Sequence, residues 1–170
     1  MASSMATCRP VGPAAKSAAV SDTNTFIIPV EPGFVPAKKA AAGAVALLRK
    51  LAPKADEIEA VTDEQVTFRS CGESFDAVRC PACRTEIDVD TWHEWMDADH
   101  ADDAGFRLRP IAMPCCKRSF TLADLAYEEP QGFSRFALRA LNPETVFAKA
   151  ALAKLEAALG CKLRVIHERI

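Results

Sequence analysis

Apolar and polar positions alternate with two different periods along this chain, and the change of period marks out the elements. Thr25–Val30 (TFIIPV) reads as a strand. Glu31-Pro32-Gly33 reads as a turn, and Pro36 opens a helix over Ala37–Leu51. Ala44, Val45, Leu47, Leu48 and Leu51 form its apolar stripe, Lys38, Lys39, Arg49 and Lys50 its wet side, and Pro53 ends it. Glu57–Val61 and Gln65–Ser70 alternate with period two, which predicts two short strands joined by a hairpin turn at Thr62-Asp63-Glu64. Beyond a cysteine-bearing region, Phe133–Leu141 (FSRFALRAL) reads as a strand with Phe136 and Leu138 inward and Arg135 and Arg139 outward. Asn142-Pro143-Glu144 has the residue types of a helix start. The helix it predicts packs through Phe147, Ala151, Leu152, Leu155 and Leu159 and stops at Gly160. Lys162–Ile170 reads as a last strand, and no internal repeat is evident.

The order is strand, helix, hairpin, cysteine insert, strand, helix, strand. With the insert removed it predicts an α+β fold: a ferredoxin-like antiparallel sheet with two helices on one face and an inserted zinc-ribbon-like subdomain. The divisions are 1–23 as a disordered tail, 24–74 as the first half of the sandwich, 75–128 as the insert and 129–170 as the second half.

Composition narrows the function classes. The chain has 170 residues, 49% hydrophobic and 26% charged, enough to bury a core without relying on a metal. A net charge of −2 gives no general pull toward nucleic acid or anionic lipid. No apolar run is long enough for a membrane helix. The Ala/Ser-rich start, with Arg9 and Lys16 and no acid before Asp22, can be read as a transit peptide, but a plain tail and a cytoplasmic protein is the preferred reading. Seven cysteines in such a chain point to metal or redox chemistry rather than a disulfide framework.

Cys80-Pro81-Ala82-Cys83 has the two-residue gap that lets two sulfurs grip one ion from a tight turn. Pro114-Cys115-Cys116-Lys117 supplies a second pair. Four thiolates favour one structural zinc ion and leave no open coordination position. Aligned on the first pair, Met113 falls where a cysteine would sit, so Cys71 or His93 is a rival for the place of Cys115. A glutaredoxin-like reading of Cys80 and Cys83 needs a helix directly after the motif, but Arg84–Asp88 reads as a strand. A Cys115–Cys116 disulfide would close a strained ring. Cys8 and Cys161 are read as tail and core thiols.

Between the pairs, Asp90–Asp97 reads as a short helix with Thr91 and Glu94 as its capping box, and Trp92, Trp95 and Met96 packing over the cysteine turns. Thr85–Gly105 carries Glu86, Asp88, Asp90, Glu94, Asp97, Asp99, Asp102 and Asp103 and no Lys or Arg, which disfavours phosphate contact. Arg79, Arg84, Lys117 and Arg118 soften this without reversing it. There is no Gly-rich phosphate loop and no nucleophile elbow, and His93, His100 and His167 have no partner evident in sequence. Nothing here argues for an enzyme.

Several phrases together carry a resemblance: Pro32-Gly33-Phe34-Val35-Pro36, Cys71-Gly72-Glu73-Ser74-Phe75, Cys80-Pro81-Ala82-Cys83, Pro114-Cys115-Cys116, Leu122-Ala123-Asp124-Leu125, Gly132-Phe133-Ser134-Arg135-Phe136, Leu141-Asn142-Pro143 and Leu163-Arg164-Val165-Ile166. Over about residues 25–170 the chain resembles a family of uncharacterised bacterial proteins with a Cys-Pro-x-Cys…Cys-Cys zinc-ribbon-like insert. Members are sometimes labelled sugar transporter ATPases, a label that the missing phosphate loop contradicts here. The resemblance implies Gly after each cysteine pair, where this chain has Arg84 and Lys117. It implies no catalytic residues. The expectation is therefore a non-catalytic, zinc-stabilised module that binds another protein in an adaptor- or immunity-like role. A nucleic-acid-associated zinc ribbon and a thiol redox enzyme are the alternatives.

Overall fold

The computed structural model describes residues 22–170, so the predicted tail and Cys8 lie outside the described residues. The described residues are mixed α+β, with three α-helices and a mostly antiparallel sheet. In chain order the elements are β1 (Thr23–Pro29), α1 (Lys38–Leu51), β2 (Glu57–Arg69), β3 (Val78–Arg79), β4 (Glu86–Ile87), α2 (Val89–Asp99), β5 (His100–Ala101), β6 (Gly105–Phe106), β7 (Ile111–Ala112), β8 (Ser119–Phe120), β9 (Ala126–Tyr127), β10 (Gly132–Leu141), α3 (Lys149–Leu159) and β11 (Leu163–Arg169). The large sheet has the order β11-β1-β10-β2-β6-β5, and only the β2–β6 contact is parallel. Among the described residues, no helix is long and apolar enough to cross a membrane.

Period-two burial works on both faces of the central strands. Ile27, Phe136, Leu138 and Ala140 face the helices and enclose Ala44 and Leu48 of α1 and Leu155 and Leu159 of α3 in one core. The stripe expected for α1 therefore packs, and of that expected for α3 Leu152, Leu155 and Leu159 pack, with Phe147 joining them from ahead of the helix and Ala151 outside the cluster. Phe26, Ile28, Ala137 and Ile166 form a second cluster on the other face. A strand buried on both sides reads as nearly continuous apolar sequence, as Phe26-Ile27-Ile28 does.

Two expected elements differ. The hairpin predicted at Thr62-Asp63-Glu64 does not form; β2 is one strand that pairs with β10 along both halves. Its register breaks between Ser134, opposite Thr67, and Phe136, opposite Thr62. Asp63–Val66 thus bulge across from Arg135, whose amide leaves the ladder and donates to the Pro32 carbonyl at 2.9 Å. A bulge of this kind bends a strand and strengthens its twist. The bent ribbon brings Gly132 against Ile28 and Ile166, and Arg69 over the Phe26 ring. Of the polar triplet that looked like a turn, Thr62 stays in the ladder opposite Phe136, and Asp63 and Glu64 belong to the bulge that bends the ribbon.

The second difference is the start of α3. Asn142 and Glu144 both have positive φ, 46° and 47°, so neither is helical, and the helix begins at Lys149. The Asn142 side chain accepts from the Thr23 amide and donates to Asp22 and Asp56. It ties three segments together at the end of the sheet instead of capping a helix. In the insert, α2 is capped by Asp88, which accepts from the amides of Asp90 and Thr91, rather than by Thr91. A capping box does form at Thr121 and Asp124, before the 3-10 turn Leu122–Asp124.

After β2 the chain reaches the far edge of the sheet, where Gly72 bridges Arg169 of β11. Gly72 has φ 64°, and a Cβ there would overlap the Arg169 carbonyl oxygen. Gly72→Ala is therefore expected to destabilise by about 2 kcal/mol, read as a lower urea midpoint. Gly33→Ala is the control, since a Cβ at Gly33 would meet nothing within 4 Å.

Candidate metal centre

The insert is built from two copies of one local design. In the first, β3 and β4 pair Val78 with Ile87 and Arg79 with Glu86; in the second, β7 and β8 pair Ile111 with Phe120 and Ala112 with Ser119. The turn at each tip closes the same way. The Cys80 amide donates to the Thr85 carbonyl and the Arg84 amide to the Cys80 carbonyl, at 2.9 and 3.0 Å. The Met113 amide donates to the Arg118 carbonyl and the Lys117 amide to the Met113 carbonyl, at 2.8 and 2.9 Å. Each unit then runs into a capped helical turn, at Asp88 and at Thr121. The insert is an internal repeat, contrary to the sequence reading. Only the backbone pattern and a few side chains recur, which is too little to detect by residue identity.

Matching the two turns through their backbone hydrogen bonds explains the uneven cysteine spacing. Met113 occupies the place of Cys80, and both are fully buried. Cys116 matches Cys83. Cys115 matches Ala82 and supplies the thiol that Met113 cannot. The Sγ atoms of Cys80, Cys83, Cys115 and Cys116 lie within 4.8 Å of one another, so the four could hold a metal ion. Cys80 and Cys116 are 3.7 Å apart and Cys83 and Cys115 are 3.3 Å apart. Four thiolates around one ion at about 2.3 Å stand about 3.8 Å apart, close to this arrangement. Among the described residues this is the only group of three or more such side chains able to share an ion.

The two rivals of Cys115 lie elsewhere. Cys71 is buried where β2 meets the end of β11, its carbonyl accepting from the Arg169 amide. His93 sits on α2, its ring 4.9 Å from that of Trp92. Cys161 is half-buried against the helix core, where burial pushes its thiol up.

Local hydrogen bonding makes the thiols unequal. The Thr85 hydroxyl and amide hold the Cys83 thiol down at about 6, with the Thr85 Oγ1 3.2 Å from its sulfur. Cys115, whose sulfur shares a proton with Cys83, is pushed up to about 12. Cys80 is lowered, chiefly by the backbone amide of Cys83. A metal ion displaces protons from such a set, since thiolates are the ligands. Thr85 gave no sequence signal beyond its place two residues after a cysteine.

Arg84 and Lys117 have φ of 63° and 62°, the left-handed region that side chains disfavour. Arg84→Gly and Lys117→Gly are each expected to stabilise the insert by about 0.5 kcal/mol, because the relief exceeds the entropy that glycine adds to the unfolded chain. Thermal unfolding of the metal-loaded protein checks this, and a loss at either site would show that the cationic side chain outweighs its backbone strain.

An apolar core backs the thiols. Val78, Ile87, Trp92, Met113, Leu122, Leu125 and Phe133 are buried together with Cys80, and Trp95, Met96, Phe106 and Cys116 pack around them. Phe75 stacks on Trp92 at 5.1 Å. The Trp92 Nε1 donates to the Tyr127 hydroxyl, which donates to the Leu122 carbonyl at 2.9 Å. Asp99, one of the eight acids of the run, is not a solvated charge. It is 3% exposed and accepts from the amides of Leu108 and Arg109 at 2.7 and 2.9 Å, fixing the loop that leads into the second turn. No family model, curated protein or solved structure matches this chain.

Proposed function

We propose that this chain is a cytoplasmic, non-catalytic binding module, with one structural zinc ion held by Cys80, Cys83, Cys115 and Cys116. In this reading a zinc-ribbon-like insert interrupts a ferredoxin-like sandwich and presents an acidic surface to a basic protein partner. It also places the chain in the family that its motifs resemble. The observation that carries the reading is the convergence of four thiols from two matching turns. Such a donor set suits zinc, closes the tetrahedron and leaves no position for substrate or water. The sandwich assignment is supported by the β11-β1-β10-β2 order with both helices in one core.

The redox alternative draws less support. Cys80 is fully buried, and the helix that follows starts only at Val89, too far along to lower the Cys80 thiol through its dipole. A nucleic-acid role needs a positive face where the run from Glu86 to Asp103 is negative.

Alkylation of the native protein tests the reading. The four thiols should resist iodoacetamide until a chelator removes zinc, and the loaded protein should pass unretained over single-stranded DNA at low salt. Native labelling of Cys80, or salt-sensitive retention on DNA, would instead favour the redox or nucleic-acid reading. The origin of the ligand set has its own test. Cys115→Ala should lose zinc, and adding Met113→Cys should restore it, because Met113 holds the position that Cys80 holds in the first turn. Metal analysis of the two variants decides it.

A further inference from the structure

Where the insert meets β2, and lined by none of the four thiols, lies a cleft of about 450 Å³. Phe68 of β2, Trp92 and Met96 of α2 and Phe106 of β6 line it, with Asp97 and Asp102 at its rim. The rings are mutually braced: Phe68 stands 6.0 Å from Trp92 and 6.4 Å from Phe106, edge to face. The imidazoles of His93 and His100 complete the lining, and His100 packs edge to face on Phe106 at 4.9 Å. Gly105 holds the β5–β6 hairpin against β2. Its φ is 61°, it pairs with Val66, and a Cβ there would press on the Val66 carbonyl at 2.6 Å. The cleft is thus pre-formed by backbone contacts and needs little ordering to bind.

Its chemistry selects a cation. Trp92 is buried and stacked by Phe75, so the half-buried rings of Phe68 and Phe106 are the faces that can attract positive charge, and the exposed carboxylates of Asp97 and Asp102 add to the attraction. The ion pairs among the described residues use other acids, including Asp99 with Arg109, and neither Asp97 nor Asp102 takes part in one. The surrounding run from Glu86 to Asp103 has no Lys or Arg to compete.

We infer that this cleft receives an arginine side chain of a basic partner protein. The planar guanidinium stacks on an aromatic face while its fork reaches a carboxylate, which a lysine ammonium cannot do in both respects at once. The inference rests on the binding-module reading and names the part of the surface that does the binding.

The test is titration calorimetry of the whole zinc-loaded chain with a blocked arginine–serine peptide, its lysine–serine counterpart and a glutamine–serine control, with metal content measured on the same samples. The arginine peptide should bind saturably, about tenfold tighter than the lysine peptide, and the glutamine peptide should not bind. The double variant Asp97→Asn/Asp102→Asn should weaken arginine binding about tenfold. Glu31→Gln/Glu73→Gln, at exposed positions outside the acidic run and with the same change in net charge, should leave it within about twofold. Phe106→Leu keeps the bulk and removes the ring, and should weaken binding about fivefold. Equal weakening by the two double variants would reduce the effect to bulk charge and overturn the inference. So would a metal-loaded protein that ignores the arginine peptide, which would leave the zinc reading standing. Saturable arginine binding by a protein without metal would remove the zinc reading and keep the cleft.

Discussion

Cys80→Ser should abolish metal binding and melt the insert while leaving the helix-backed sheet folded. Cys80 is the most enclosed of the four thiols, packed among Val78, Ile87, Trp92, Met113 and Leu122. Serine is a poor zinc ligand, and its hydroxyl would stand in an apolar core once the ion is lost. Structural zinc contributes on the order of 10 kcal/mol or more to small domains that depend on it. The strands β3, β4, β7 and β8 span two residues each, so beyond the ion they rely on one small apolar core that Cys80 itself helps to fill. The expected result is loss of the Trp92 near-ultraviolet signal and rapid amide exchange through residues 78–127. Slow exchange should persist in β1 and β10. If Cys80→Ser kept its zinc, the four-thiol assignment would fail.

Phe136→Ala should have the opposite outcome and destabilise the sheet and both packed helices by about 3–5 kcal/mol. Phe136 is fully buried in the same cluster as Leu48, Leu138 and Leu155. It is also the first residue of β10 to pair with β2 after the register break, opposite Thr62. Truncation there leaves a cavity that a kinked ribbon cannot easily close. Chemical denaturation with fluorescence and far-ultraviolet detection reads the loss. A shift below about 1 kcal/mol would mean that the ribbon relaxes into the space.

The two experiments separate what was legible in sequence from what was not. The stripe Ala44, Leu48 and Leu51 and the runs Phe26–Ile28 and Phe136–Leu138 carried their periods openly, because burial on a sheet or helix face needs many residues of one kind. The cysteine pairs were legible because metal geometry restricts spacing. The β2 bulge was not, since Asp63-Glu64 has the composition of a turn and only pairing with β10 decides the difference. Asn142 was misread for a related reason: its residue type fits a helix cap, but three partners from distant segments claim its side chain. Asp99 looked like one acid among eight until the loop at Leu108 and Arg109 folded onto it. In each case a contact with residues beyond the immediate neighbours overrode a local preference.

In the proposed centre, four thiolates from two matching turns close on one zinc ion. Elemental analysis of the native protein, purified without added metal or chelator and paired with a count of free thiols, tests it most directly. About one zinc per chain is expected, with four thiols that react only after the metal is removed. A well-folded native protein that contains no metal and whose four thiols react freely would contradict it.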